Sequence, residues 1–485
     1  MGQPLTHGAC SRAVAQVTLE GYGAPMSHDT TADRPSLRRS TTRELHRIAL
    51  ERQTEGRVPA LFAGVQRGGE LVWSEGIGTT GGGEGRDRAA TADDQYLVAS
   101  NTKTFTAVMI MQARDEGRLS LDDHVGDHLP GGTPSPAHRA TIRSALAHVS
   151  GMQREPHGDV WETLAFPDAE RLVQEYAQAE RVGPAHTRWH YSNLMYCLLG
   201  EVVAHLDGRS WAESLQARLL DPLELRRTTV GFSGAQVQGY FVPPFTDVPL
   251  AEPVPDFRGT APCGGLASTP SDMARWSAFV ADPDEAVLSP DTLEEMTQPQ
   301  AVVDPRGWTA TMGLGFFLMR RDKRIWVGHT GGMPGHITGV FTHRESGTGG
   351  LAFMNNSNSP DPAALAIDLG EALESAEPAA GEPWTPGESV PEELAGVLGH
   401  WYTEGAHVVF SVRQGALEAW MAEAPKEAPP AVFERVEADL YRTVSGRERG
   451  EMLRITRRED GTVLKMNWAT YLVTREPLAF GQNPQ

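Results

Sequence analysis

Residues 97–114 read Leu-Val-Ala-Ser-Asn-Thr-Lys-Thr-Phe-Thr-Ala-Val-Met-Ile-Met-Gln-Ala-Arg. Phe105, Val108, Met109 and Ala113 recur at helical spacing, and Gly117 supplies a stop. Ser100 and Lys103 therefore fall at the start of a helix, on one face and one turn apart. A serine hydroxyl is a weak nucleophile until something takes its proton. A buried, desolvated lysine has its pKa lowered toward the range of a general base. The helix N-terminus adds backbone N–H groups and a positive dipole end beside the reacting oxygen. Only four lysines occur, at 103, 323, 426 and 465, so almost all of the 43 basic residues are arginine. A lysine at this spacing from a serine is a rare event in such a chain.

Outward from this stretch, the pattern is mixed. Residues 1–40 hold Gly, Pro, Ser, Thr and Arg without periodicity and read as a disordered segment. Thr41 with Glu44 fits a capping box, followed by an apolar stripe of Leu45, Ile48 and Ala49. Ala60–Gln66 and Glu70–Glu75 read as strands joined by Arg67-Gly68-Gly69. Residues 120–280 alternate short helical patterns with turns, and a helix starts at Thr269-Pro270-Ser271-Asp272. Gly315–Met319, Ile325–Val327, Ile337–His343 and Leu351–Asn355 read as antiparallel strands, and Pro362–Leu373 as a closing helix. Strands at both ends with helices between them predict an α+β domain over 41–375, its sheet shared by the two ends around a helical lobe. Residues 376–390 are a Pro-, Gly- and Glu-rich linker. Over 391–485, five alternating segments (His407–Arg413, Leu417–Met421, Met452–Arg457, Val463–Trp468 and Tyr471–Arg475) predict a small all-β barrel or sandwich.

Composition narrows the function. A net charge of −20 over 485 residues leaves no basic footprint for nucleic acid or an anionic membrane surface. No apolar run is long enough to span a bilayer. The N-terminus lacks the apolar core of a secretory signal, and Cys10, Cys197 and Cys263 do not form a disulfide framework, so the expectation is a cytoplasmic protein. There is no Gly-x-Ser-x-Gly elbow, no His-Glu-x-x-His pair and no phosphate loop, so no metal or cofactor is expected. The expected partner is a small-molecule or short-peptide substrate; oligomeric state is left open.

Two further motifs carry chemistry. Tyr191-Ser192-Asn193 precedes the apolar run Leu194–Leu199. A phenol beside an ammonium ionises more easily and can shuttle protons, while a carboxamide both accepts from a lysine and donates to a substrate carbonyl. His329-Thr330-Gly331-Gly332 falls between Ile325–Val327 and Ile337–His343, where glycines let a substrate backbone approach a strand edge. The N–H of Gly332 and that of Ser100 can together form an oxyanion hole.

Ser-x-x-Lys, Tyr-x-Asn and His-Thr-Gly, in this order and about 90 and 140 residues apart, resemble the serine β-lactamase and penicillin-binding protein superfamily. The resemblance is greatest to its class C β-lactamase-like branch of D-aminopeptidases, D-Ala-D-Ala carboxypeptidases and esterases. The segments 145–152, 263–269 and 328–332 fit that branch, and the C-terminal segment resembles the lipocalin-like appendage of some of its members. The resemblance implies Ser100 as acylated nucleophile, Lys103 as its proton acceptor, Tyr191 as proton relay, Asn193 as holder of the substrate amide, and His329 at the rim near Tyr191. Thr330 and Gly331 would contact substrate, and the Ser100 and Gly332 amides would hold the oxyanion. His329 replaces the lysine usual in penicillin-recognising enzymes, which removes a fixed charge for a substrate carboxylate. The function so implied is hydrolysis of an ester or amide, with an acyltransferase or peptide cyclase as the alternative. A non-catalytic binding protein on the same fold is the reading from another class.

Overall fold

The computed structural model describes residues 37–81, 88–131, 134–378, 383–387, 389–425 and 428–484. The segment expected to be disordered lies outside these as far as residue 36. Contacts divide the chain into two units, 1–379 and 380–485.

In the first unit, helix α1 (Arg39–Glu55) buries Leu45 and Ala49, as its stripe predicts. Its start differs from the expected capping box. Arg38 is the N-cap, and the Thr41 hydroxyl, one turn inside, donates instead to the Glu377 carboxylate at 2.6 Å. A long-range acceptor has taken the place of the local one. Strands β1 (Ala60–Arg67) and β2 (Glu70–Gly78) form the expected hairpin, whose two turn residues, Gly68 and Gly69, have φ of 59° and 82°. Two consecutive positive φ values suit a two-residue hairpin turn and favour glycine at both positions.

Helix α2 (Thr102–Asp115) is buried at every position from Thr102 to Ala113. It is the central helix, packed between the sheet and the helical lobe, so its apolar stripe widens to the whole circumference. The lobe contributes α3 (Asn193–Asp207) and α4 (Ala261–Gly264). Helix α5 (Pro270–Ala281) starts as predicted, the Thr269 hydroxyl accepting from the Asp272 amide. Six strands complete the sheet: β3 (Ala301–Val302), β4 (Ala310–Met312), β5 (Phe317–Arg321), β6 (Arg324–Met333), β7 (His336–His343) and β8 (Thr348–Met354). The sheet is antiparallel throughout, in the order β2-β1-β8-β7-β6-β5-β4-β3, so both ends of the unit share it through β1 and β8. Helix α6 (Pro362–Ala376) closes the unit, packing with α1 over Trp326 and Phe341 on one face. Phe62 and Phe353, on the other face, join the core of α2 and the lobe.

One expectation is corrected here. His329-Thr330-Gly331-Gly332 is not a connection but lies inside β6, where Thr330 pairs with Gly339, Gly331 with Thr338 and Gly332 with Ile337. Two successive glycines read as a turn, yet each still offers a backbone N–H and C=O to the ladder. The turn falls instead after Met333, where Gly335 has φ of 72°.

The second unit is an eight-stranded antiparallel barrel: β9 (Gly399–Thr403), β10 (Ala406–Arg413), β11 (Ala416–Met421), β12 (Ala431–Glu437), β13 (Leu440–Thr443), β14 (Met452–Arg457), β15 (Val463–Trp468) and β16 (Tyr471–Val473), in sequential order. It closes where the Tyr402 and Thr474 backbones exchange hydrogen bonds of 2.8 and 3.0 Å. Trp401, fully buried, anchors its core, with the Arg475 guanidinium 3.9 Å from the ring centroid. Of the strands with no sequence signal, β9, β12 and β13, β12 buries only Phe433 and exposes Glu434, Arg435 and Glu437. Among the described residues no helix is long and apolar enough to cross a membrane.

Candidate active site

Ser100 sits in a single 3₁₀ turn, Ala99–Asn101, just before α2. Ala99 has φ of 49°, a left-handed conformation that residues with a Cβ rarely adopt. The surroundings over-determine it. Val98 N–H donates to Leu266 O at 2.9 Å, Asn101 Nδ2 donates to Val98 O at 3.1 Å and to Thr338 Oγ1 at 3.0 Å, and Leu266 N–H donates to Thr102 Oγ1 at 3.2 Å. Gly331 permits this contact with the sheet: a Cβ there would lie 2.1 Å from Val98 O and 2.6 Å from Thr338 Oγ1. At Gly332 a Cβ would meet only Ile337 Cδ1 at 3.4 Å, and this glycine faces open space.

Lys103 is wholly buried, and its Nζ donates to Cys263 O at 2.6 Å, Asn193 Oδ1 at 2.7 Å and Ser100 Oγ at 3.2 Å. The expected depression of its pKa is not found. Burial pushes the ammonium down, but the Tyr191 phenol oxygen and the Cys263 sulfur beside it outweigh burial, and the net shift is upward. Lys103 therefore rests as an ammonium that donates to the serine.

Tyr191 lies beside it, with Nζ 4.8 Å from the ring centroid. The ring stacks on His148 at 4.2 Å, and the Arg154 guanidinium lies 4.9 Å from its centroid. Tyr191 is placed by the start of α3: Ser192 is the N-cap, accepting from Met195 N–H, and the Ser192 N–H donates to His148 Nδ1 at 3.1 Å. The proton of a neutral His148 is then on Nε2. Burial first, and then the Lys103 charge, hold His148 well below its usual range, so it is neutral. Asn193 bridges two charges, accepting from Lys103 and donating through Nδ2 to Glu155 Oε1 at 2.8 Å.

His329 is brought to the same place, its ring 6.2 Å from that of Tyr191, but it is buried rather than at a rim. Nδ1 donates to Thr330 O at 2.5 Å, and burial, reinforced by the Lys103 charge, lowers its pKa to about 3. It is neutral across the physiological range. Thr330 is half-buried behind it and Gly331 is buried.

A cavity of about 300 Å³ opens on Ser100, Asn193 and Gly332. Its other wall is formed by residues that the sequence did not single out: Arg154, Glu155, Trp161, Phe166 and Phe257. Trp161 meets Phe166 edge-on at 5.3 Å, and Phe166 lies 5.8 Å from Phe257. Four of them fall in the short stretch 154–166, where only Val160–Thr163 is helical, and Phe257 comes from a distant segment, so no periodicity marks them. The arrangement offers an oxygen nucleophile hydrogen-bonded to a cation, a carboxamide beside it, and an aromatic wall with one carboxylate. Among the described residues no group of three or more His, Cys, Asp and Glu side chains is placed to hold a metal ion.

The family model named Beta-lactamase matches residues 45–374. The chain belongs to the beta-lactamase family. Residues 390–475 match a domain of unknown function, DUF7586. Beta-lactamase-like protein 2 of Dictyostelium discoideum is 26% identical over 281 residues, 56% of this chain and 51% of the relative. The chain thus spans about half the length of that relative. The D-alanyl-D-alanine-carboxypeptidase/endopeptidase AmpH of Escherichia coli K12 is 25% identical over 289 residues, 55% of this chain and 72% of the relative. The octameric penicillin-binding protein homologue of Pyrococcus abyssi shares the fold, with a TM-score of 0.60 at 21% identity, over 89% of this chain and 99% of that structure. A D-stereospecific amidohydrolase from Streptomyces sp. aligns at 25% identity and a TM-score of 0.55, over 71% of this chain and all of that structure. Beta-lactamase family relatives are serine hydrolases.

Proposed function

We propose that this protein hydrolyses amides or short peptides of amino acids with an apolar side chain, through an acyl-enzyme on Ser100. The observation that carries the reading is the 3.2 Å hydrogen bond from Lys103 Nζ to Ser100 Oγ at the floor of an open cavity. In this scheme Ser100 Oγ attacks the substrate carbonyl carbon. Because Lys103 rests charged, the Lys103–Tyr191 pair must first release one proton to solvent; the serine proton then goes to the site so vacated on the pair, and the same pair returns it to the departing nitrogen. Water then attacks the ester, with the proton transfers reversed. The Ser100 and Gly332 amides hold the oxyanion, and Asn193 orients the substrate amide.

Substrate choice is supported by the wall opposite Ser100. Trp161, Phe166 and Phe257 suit an apolar side chain, and the Glu155 carboxylate suits a free ammonium. Neutral His329 supplies no cation for a carboxylate at the third motif. The D-stereospecific amidohydrolase relative favours the D-enantiomer.

Two measurements test this. Intact-mass analysis after a fluorophosphonate is expected to give one adduct on the wild type and none on Ser100→Ala. Hydrolysis of an aromatic amino-acid amide is expected to prefer the D-form and to fall when its amine is acetylated. An adduct that survives in Ser100→Ala would overturn the assignment of the nucleophile, and equal rates with the acetylated amide would remove Glu155 from recognition.

A further inference from the structure

Tyr191 can return a proton only if its phenol is held beside Lys103, and one residue, His148, touches all three of residues 190–192. The His148 carbonyl accepts from the His190 N–H at 2.8 Å, its ring stacks on that of Tyr191 at 4.2 Å, and its Nδ1 accepts from the Ser192 N–H at 3.1 Å. His148 is held in turn by Tyr196, whose ring lies 5.0 Å from its own and whose hydroxyl donates to Leu146 O at 2.8 Å.

Packing alone does not account for a histidine at this place. It follows the cap of the short helix Ile142–Leu146, where the His148 N–H donates to Ala145 O at 3.3 Å and the Val149 N–H to Ser144 O at 2.9 Å. That pair of bonds defines a helix end whose outermost residue is left-handed, a position that favours glycine. His148 has φ of 56° and is wholly buried, and its Nε2 has no hydrogen-bond partner among the described residues. A left-handed backbone and an unpaired buried donor both cost stability, and such costs collect where a side chain has a task.

We propose that His148 is a positioning residue whose ring and carbonyl hold the Tyr191 phenol where it delivers a proton to the leaving nitrogen. The role rests on the hydrolase reading above. In the step concerned, the bond from the tetrahedral carbon to nitrogen breaks and its electron pair stays on nitrogen. The Lys103–Tyr191 pair gives that nitrogen the proton taken from Ser100. An amine does not leave as its anion, so this transfer decides amide cleavage. A p-nitrophenolate leaves without a proton, so an ester of the same acid depends less on the phenol.

The test compares kcat/KM of the full-length protein for the amide and the p-nitrophenyl ester of one aromatic D-amino acid. Both values report acylation. His148→Asn keeps a side-chain acceptor for the Ser192 N–H and tolerates the left-handed backbone, but removes the ring. It is expected to lower the amide value about a hundredfold and the ester value about tenfold or less, with thermal unfolding close to that of wild type. In a Tyr191→Phe background, which lacks the phenol, the same substitution is expected to leave the amide-to-ester ratio unchanged. His148→Phe keeps a ring and loses the acceptor. It is expected to show the same bias to a smaller degree, and it carries the test if the Asn variant does not fold. Equal losses of amide and ester cleavage, or a further change of ratio in the Tyr191→Phe background, would overturn the positioning role alone. A wild type that cleaves neither substrate would overturn the hydrolase reading, and the role with it.

Discussion

The two walls of the cavity are built in opposite ways. On the Ser100 side, Lys103 and Asn101 are almost wholly buried, and Lys103 Nζ and Asn101 Nδ2 are each held by two or more partners, some of them distant in the chain. On the opposite side, Trp161 is 41% exposed and Glu155 half-buried, and aromatic contacts replace the hydrogen-bond network. The difference separates fixed geometry from adaptable recognition. A buried network tolerates no loss of a member, because each orphaned group forfeits solvation as well as its partner. A half-exposed aromatic wall loses only contact area.

That contrast can be broken at its strongest point. Lys103→Ala is expected to lower kcat for amide hydrolysis by about three orders of magnitude or more, since it strips the nucleophile of its proton partner. A rate within a few-fold of wild type would mean that this wall is not where the chemistry occurs. Gly331→Ala should cost about 3 kcal/mol in urea unfolding and about a hundredfold in kcat, because the new methyl collides with the Val98 carbonyl behind Ser100. Unchanged stability there would mean that the sheet and the nucleophile turn are not in contact.

Titrating groups held in buried surroundings, His329 within the site and Glu201 and His336 outside it, sharpen the same point. Burial raises the Glu201 carboxyl in α3 from 4.5 to about 7. The folded state then holds a proton that the unfolded chain releases, so this contribution is full below about pH 4.5 and is lost as pH rises through 7. Glu201→Gln is expected to stabilise the protein by about 1–3 kcal/mol at pH 8 and not at pH 4. His329 and His336 act in the other direction: each is held near 3, so stability is lost as pH falls below about 6.5. Thermal unfolding of wild type and variant at both pH values checks the sign. The smallest effect is on the aromatic wall. Trp161→Ala is expected to raise KM by roughly five- to tenfold with kcat nearly unchanged, a loss of about 1 kcal/mol of contact. An equal fall in kcat would make that wall part of the positioning network.

Much of the first wall was legible in the chain. Ser100, Lys103, Tyr191, Asn193 and His329 were marked by residue type and order, and the structure brings them within one site. Hairpin β1–β2 and the cap of α5 were legible because local chemistry, two glycines and a Thr-Pro-Ser-Asp start, decides both. The strand position of His329–Gly332 was not, because glycine pairs signal a turn unless a neighbouring strand supplies partners. Thr41 was misread for the same reason, its hydroxyl being taken by Glu377, more than three hundred residues away. Strands β9, β12 and β13 carried no alternation strong enough to mark them.

By itself, the sequence determined which reactive groups are present, their order, and that one helix begins with a serine and a lysine on the same face. Those are properties of side-chain type and of a 3.6-residue period, and no partner is needed to state them. The tertiary structure alone decided the charge on Lys103, the neutrality and burial of His329, and the aromatic wall with Glu155. Each depends on solvent exclusion and on groups distant in the chain, and a linear pattern encodes neither.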